Sequence, residues 1–211
     1  MLFLLFLSPT FSLAAPQPQN NEELKTWLKE YCEGVKNHGE PNTWDVKRVT
    51  DMSRLFMEME KFNSPIDQWN TSEVTNMMGM FGGASSFNQP ITMNTSKVIN
   101  MSGMFSGASS FNQPTTMDTS KVTNMNSMFY KASSFNQPIT MDTSRVEFMS
   151  HMFFDASSFN QPVTMDTSKV TDMSSMFDGA TSMTHPHPIR LNVRHFFFLV
   201  TFHYFMSVAG Q

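Results

Sequence analysis

The chain has 211 residues, enough for one domain with a sizeable core, and a formal net charge of −4. Methionine and phenylalanine number 21 each, whereas charged residues make up only 15% of the chain, against about 25% in an ordinary soluble domain. The acidic balance leaves no basic stripe to displace counterions from phosphates, which excludes nucleic acid as the expected partner, and a single cysteine, Cys32, excludes an intrachain disulfide framework.

In chain order, residues 2–13 are apolar and run into Ala14 and Ala15, so residues 1–15 read as a secretory signal peptide, although Pro9 interrupts the run and no basic residue precedes it. This predicts a secreted or cell-surface location. Residues 20–43 supply a capping helix and lead-in. Within NEELKTWLKEYC, residues 21–32, the side chains of Leu24, Trp27, Leu28 and Tyr31 share one helical face.

From 44 to 188 the sequence repeats itself. WNTSEVTNMMGMFGGASSFNQP starts at Trp69, a divergent copy starts at Trp44, and further copies start at Met93, Met117, Met141 and Met165, 24 residues apart. Six units without a linker form an array. In the copy from Met117 the apolar residues are Val122, Met125, Met128, Phe129, Ala132 and Phe135. Their three-residue steps predict a short helix or 3₁₀ segment. Pro138-Ile139-Thr140-Met141 alternates and predicts a short strand led by its proline. The predicted fold class is therefore α/β, a solenoid with one short helix or 3₁₀ turn and one short parallel strand per 24-residue repeat, its strands concave and its N-terminus capped by the helix.

Stacking turns every repeated position into a ladder. The Met-x-x-Met ladder is read as core rather than a thioether copper site, because Leu55 keeps the volume in the first copy and loses the ligand. No metal and no cofactor is expected. Asn63, Asn88, Asn112, Asn136 and Asn160 are expected to bond backbone groups of neighbouring rungs. Asp118, Asp142 and Asp166 are expected turn caps, with Lys97, Lys121, Arg145 and Lys169 alongside. Thr92, Thr116, Thr140 and Thr164 fall on the exposed face of the predicted strands and are the candidate partner-binding face. Asn70 and Asn94 open sequons and are candidate N-glycosylation sites.

No nucleophile–base pair, phosphate loop or metal motif stands outside this repeat logic, so an enzyme is not expected. The expected function is a non-catalytic binding or adhesion module for protein or glycan. A self-associating structural or matrix protein is the alternative. Residues 189–211 read as a strand-like exit (Ile189, Leu191, Val193) followed by an apolar tail, Phe196 to Ala209. Three readings of that tail stay open: a hydrophobic cap or interface, a removable lipid-anchor signal giving membrane attachment, or read-through from a wrong gene model.

The phrases WDVKRVTDMSRLF, WNTSEVTNMMGMF and GASSFNQP resemble the repeats of the BspA-like leucine-rich-repeat surface proteins, a unit first noted as a domain of unknown function in mycoplasmas. The resemblance runs from Trp44 to Pro186, and Met93, Met117, Met141 and Met165 stand where that family carries tryptophan. It implies a leucine-rich-repeat-like α/β solenoid displayed at the cell surface, with adhesion as its role and no catalytic residues.

Overall fold

A computed structural model describes residues 14–184. The expected signal segment (apart from Ala14 and Ala15), the exit strand at 189–193 and the apolar tail lie outside the described residues. Helix α1, Asn21–Cys32, forms because both ends and one face are provided for. The Asn20 side chain accepts the Glu23 N–H at 3.0 Å, two acidic residues sit in the first turn, and Leu24 and Leu28 are fully buried. A 3₁₀ turn, Pro41–Thr43, then leads into the repeats.

The six repeats stack as six rungs, from Trp44, Trp69, Met93, Met117, Met141 and Met165. Their core is written in register. Val122, Met125, Met128, Phe129, Ala132 and Phe135 are all fully buried, as are their counterparts in the rungs on either side. Phe56, Phe81, Phe105, Phe129, Phe153 and Phe177 form one continuous ring stack, with centroids 4.9–5.6 Å apart and planes within 9°. A second file, Phe62 to Phe159, runs beside it at 5.9–6.2 Å. Within the first five rungs the two files touch, Phe105 and Phe111 at 4.0 Å. Each such pair contributes about 0.5–1.5 kcal/mol beyond its buried area.

The α/β expectation is overturned. Among the described residues α1 is the only α-helix, and no strand forms; adjacent rungs share only isolated parallel bridges, such as Asn76 with Asn100 and Ile91 with Thr115. This does not fit a leucine-rich-repeat-like solenoid, and the expected concave strand face does not exist. The stretch read as a helix is a chain of linked turns. In the second rung Met80 donates to Met77 O, Gly82 to Gly79 O and Ala84 to Phe81 O. Between these turns the backbone swings into the left-handed region at Gly79 (φ 60°) and Gly83 (φ 70°), which breaks any i→i−4 series. The freed N–H groups of Met77, Gly79, Phe81 and Gly83 donate instead to Asn100, Ser102, Met104 and Ser106 of the next rung. The stretch read as a strand keeps its alternation but only one bridge, since Pro90, Pro114, Pro138 and Pro162 remove a donor from every copy.

The stack therefore has a polarity. Along the turn side, each rung points alternate amides toward the C-terminal end and alternate carbonyls toward the N-terminal end. At the N-terminal end α1 closes it: Asn21 Nδ2 donates to Asp51 O at 3.0 Å and Ser53 O at 3.1 Å. Trp27 stacks on His38 at 3.8 Å, and Trp44 and Trp69 donate their indole N–H groups to His38 O and Pro41 O. These contacts join α1 and its lead-in to the first two rungs.

Candidate binding surface

Two features of the surface differ from the self-satisfied interior. The first is the threonine file. Ile91, Thr115, Ile139 and Val163 point inward and Met93, Met117, Met141 and Met165 likewise, which leaves Thr92, Thr116, Thr140 and Thr164 between them exposed. The exposed prolines Pro90, Pro114, Pro138 and Pro162 flank it on each rung. The structure thus puts the four predicted threonines on one edge, on irregular backbone instead of a strand. Thr92 spends its hydroxyl on Asp67 O at 3.2 Å; it is the first of the file.

The other feature lies on the turn side. Each rung carries two left-handed positions, and among the described residues all seven non-glycine residues with positive φ fall on them: Arg54, Glu58, Ser127, Lys131, His151, Asp155 and Ser175. Rungs two and three place glycine there, with Gly82 and Ser106 between, so their surface is low. Bulky rungs stand on both sides. The result is a groove of about 420 Å³, floored by Gly79, Gly82, Gly83 and Gly103 and walled by Arg54, Met57 and Glu58 at one end and Asn124, Asn126 and Ser127 at the other. Beyond it Tyr130 and Phe154 stack at 5.2 Å, the Lys131 ammonium lies 5.2 Å from the Tyr130 ring centre, and His151 tilts over Phe154. This is where the repeats differ most from one another.

The carboxylates singled out in the sequence are engaged in turns. Asp118 Oδ1 accepts the Ser120 N–H at 3.0 Å and Asp142 Oδ1 that of Ser144 at 2.9 Å, with Asn70 and Asn94 doing the same in earlier rungs. Hydrogen bonds from the hydroxyl and N–H of Ser120 hold the Asp118 carboxyl below its ordinary range, and those from the N–H and hydroxyl of Ser144 do so for Asp142. Asn70 and Asn94 are exposed, so their sequon position is accessible while Oδ1 serves the turn. The paired cationic file behaves differently from expectation at Lys97, which meets Glu73 of the preceding rung at 2.7 Å. The asparagine file performs as the residue pattern suggests: Asn88, Asn112 and Asn136 each accept the backbone N–H of the asparagine one rung on, at 2.9 Å.

One ladder escaped the sequence reading. Thr71, Thr95, Thr119 and Thr143 are buried and donate their hydroxyls to the carbonyls of Asn94, Asp118, Asp142 and Asp166, at 2.9–3.0 Å. The signal was present, since a threonine follows Asn or Asp at this place in five copies.

With this geometry in view, comparison with known proteins gives one match. The family described as "Mycoplasma protein of unknown function, DUF285" matches residues 26–117 and again 115–196. The chain belongs to that family. No curated protein and no solved structure matches it. The two DUF285 segments together take in α1 from Thr26 onward, the six rungs and the first residues after them.

Proposed function

We propose that this DUF285 chain is a non-catalytic binding module, secreted or held at a cell surface, that takes a protein or glycan partner through the threonine file. The observation that carries the reading is the recurrence of an exposed threonine at one place on four successive rungs, Thr92, Thr116, Thr140 and Thr164, while the polar residues around it are engaged in backbone caps. A file repeated at rung spacing offers a multivalent contact, in which weak hydrogen bonds add along one ligand. The resemblance to BspA-like surface repeats supports the adhesive side of the reading. In a eukaryotic secretory route the exposed Asn70 and Asn94 would be glycan acceptors.

The test is a binding screen of the full chain against immobilised matrix proteins and glycans, repeated with Thr116→Lys/Thr140→Lys. Both residues are exposed, so the melting temperature should stay within a degree or two. Binding should fall at least tenfold. A double variant that binds like the parent removes the threonine file from the reading. The alternative, a self-associating structural protein, predicts instead that light scattering shows concentration-dependent assembly.

A further inference from the structure

Polar side chains on the turn side stand where the backbone favours glycine. Arg54 (φ 54°), Glu58 (φ 60°), Lys131 (φ 56°), His151 (φ 57°) and Asp155 (φ 54°) all lie in the left-handed region. Glycine adopts that conformation without a Cβ penalty, and rungs two and three use it, at Gly79, Gly83, Gly103 and Gly107. The five side chains are exposed or half-buried, so core packing does not compensate for the strain. Strain kept at a surface points to a use at that surface. Nor is the low floor forced by crowding, since a Cβ added at Gly79, Gly103 or Gly107 would come no nearer than 3.4 Å to a neighbour.

The groove of about 420 Å³ lies among these positions. Its Arg54 and Glu58 end and its Asn124, Asn126 and Ser127 end are three rung steps apart, each step 4.9–5.6 Å along the phenylalanine stack. One file, Met57, Gly82, Ser106, Tyr130 and Phe154, runs from the first wall across the floor and continues into the stacked ring pair.

What the groove offers a ligand is side-chain hydrogen bonding. The Gly79, Gly83 and Gly103 amides already donate to Ser102, Ser106 and Asn126 carbonyls one rung on, so a peptide backbone finds no ladder to extend. Asn124 and Asn126 spend their Oδ1 atoms on the Asn126 and Ser150 N–H groups. Their Nδ2 groups, the Ser127 hydroxyl, the Arg54 guanidinium and the Glu58 carboxylate have no hydrogen-bond partner among the described residues. Arg54 and Glu58 carry opposite charges and the far wall is neutral, so the groove favours a ligand without net charge. Hydroxyl groups, each both donor and acceptor, suit these side chains, and the C–H face of a sugar ring suits the aromatic pair.

We propose that the groove is a saccharide site, taking a run of linked neutral sugar rings along rungs one to four, with Asn124, Asn126 and Ser127 on the hydroxyls and Tyr130 against a ring face. The glycine floor admits the ligand, and Arg54 and Glu58 close its far end. This is a second site, apart from the threonine file, and it stands whether or not that file binds a partner.

Calorimetric titration of the full chain with short chito-, cello-, manno- and malto-oligosaccharides tests it. At least one of these sugars should bind. Ser106→Tyr carries the rung-four residue into the floor and should weaken that binding at least ~tenfold. Tyr130→Ser, the residue rung three has at the same place, removes the ring and should weaken it as much. Thr116→Lys/Thr140→Lys should bind the sugar as the parent does. Should Ser106→Tyr fail to fold, Tyr130→Ser decides. Binding of none of these sugars, capture of peptides in their place, unchanged affinity in a folded groove variant, or loss of the sugar in the threonine variant overturns the proposal.

Discussion

The side-chain carbonyl of Asn126 accepts the backbone N–H of Ser150, one rung ahead, at 2.8 Å. In the other five rungs that N–H is capped from within the rung, by Asp51, Asn76, Asn100, Asn124 or Asp172 two residues before it. In the fifth rung this position is Phe148, which has no acceptor and is 39% exposed. Ser150 is buried, so its N–H cannot turn to water at no cost. Asn126 substitutes for the missing cap. Asn126→Ser, the residue that rungs one, three, five and six carry there, should destabilise by about 1–3 kcal/mol by orphaning that donor. Adding Phe148→Asn should return most of the loss. Denaturant unfolding of the two single variants and the double variant measures the coupling, and additive effects would show that the two positions are independent.

Thr115 is the odd member of an inward file otherwise made of Ile66, Ile91, Ile139 and Val163. It is 2% exposed, and its hydroxyl has no hydrogen-bond partner. An unmet buried hydroxyl costs about 1–3 kcal/mol. Thr115→Val keeps the shape, and the backbone bridge to Ile91 does not involve the side chain. The variant should therefore unfold later, by about 1–2 kcal/mol. A midpoint equal to or below the parent's would mean that a water or a neighbour already satisfies the hydroxyl.

The left-handed positions give a third expectation, in both directions. Ser127 sits at φ 56°. Glycine there removes a conformational cost of roughly 1–2 kcal/mol and adds an unfolded-state entropy term of about 0.5–1 kcal/mol, so Ser127→Gly should be neutral to about 1 kcal/mol stabilising. Gly179→Ala should do the reverse and more. At φ 76° its new Cβ would lie 2.0 Å from Asp155 Oδ1 and 3.2 Å from Asp155 Cα. Gly103→Ala, whose nearest neighbour would be 3.8 Å away, isolates the conformational part. Thermal unfolding should rank Gly179→Ala below Gly103→Ala, with Ser127→Gly on top; equal losses for the two alanine variants would rule out the steric part.

These positions also mark what the sequence could and could not convey. The inward residues were legible because burial imposes the same side chain at the same interval on every rung. Val, Met, Met, Phe, Ala and Phe follow from period alone, as does the capping face of α1. The backbone between them was not legible from that period. A three-residue step belongs equally to a 3₁₀ turn, a helix and a string of turns joined by left-handed residues, and only the last sends its amides to the next rung. The cue was the glycine pair four residues apart, Gly79 with Gly83 and Gly103 with Gly107, inside a supposed helix. It was weak because rungs one, four and five hold residues other than glycine at both places. The threonine file was legible for a related reason: alternation fixes which side chains face out, whether or not the backbone pairs as a strand.

The last prediction concerns acid. Asp118 and Asp142 are held below their ordinary carboxyl range by hydrogen bonds from Ser120 and Ser144, and Asp172 by the N–H of Ser174 first. A depressed folded-state pKa means the folded chain binds its proton later than the unfolded chain. Its contribution to stability is therefore present above the unfolded value, about 3.9, and is lost as pH falls through the folded one. The melting temperature should hold down to about pH 4 and then drop. Asn70 and Asn94 make the same cap with an uncharged amide, so Asp118→Asn/Asp142→Asn should leave the fold and the neutral-pH midpoint nearly unchanged while making the acid-side drop shallower. Asp172 keeps part of the slope. Thermal scans across pH 2–7 compare parent and variant; superimposable acid limbs would show that these caps contribute nothing through their charge.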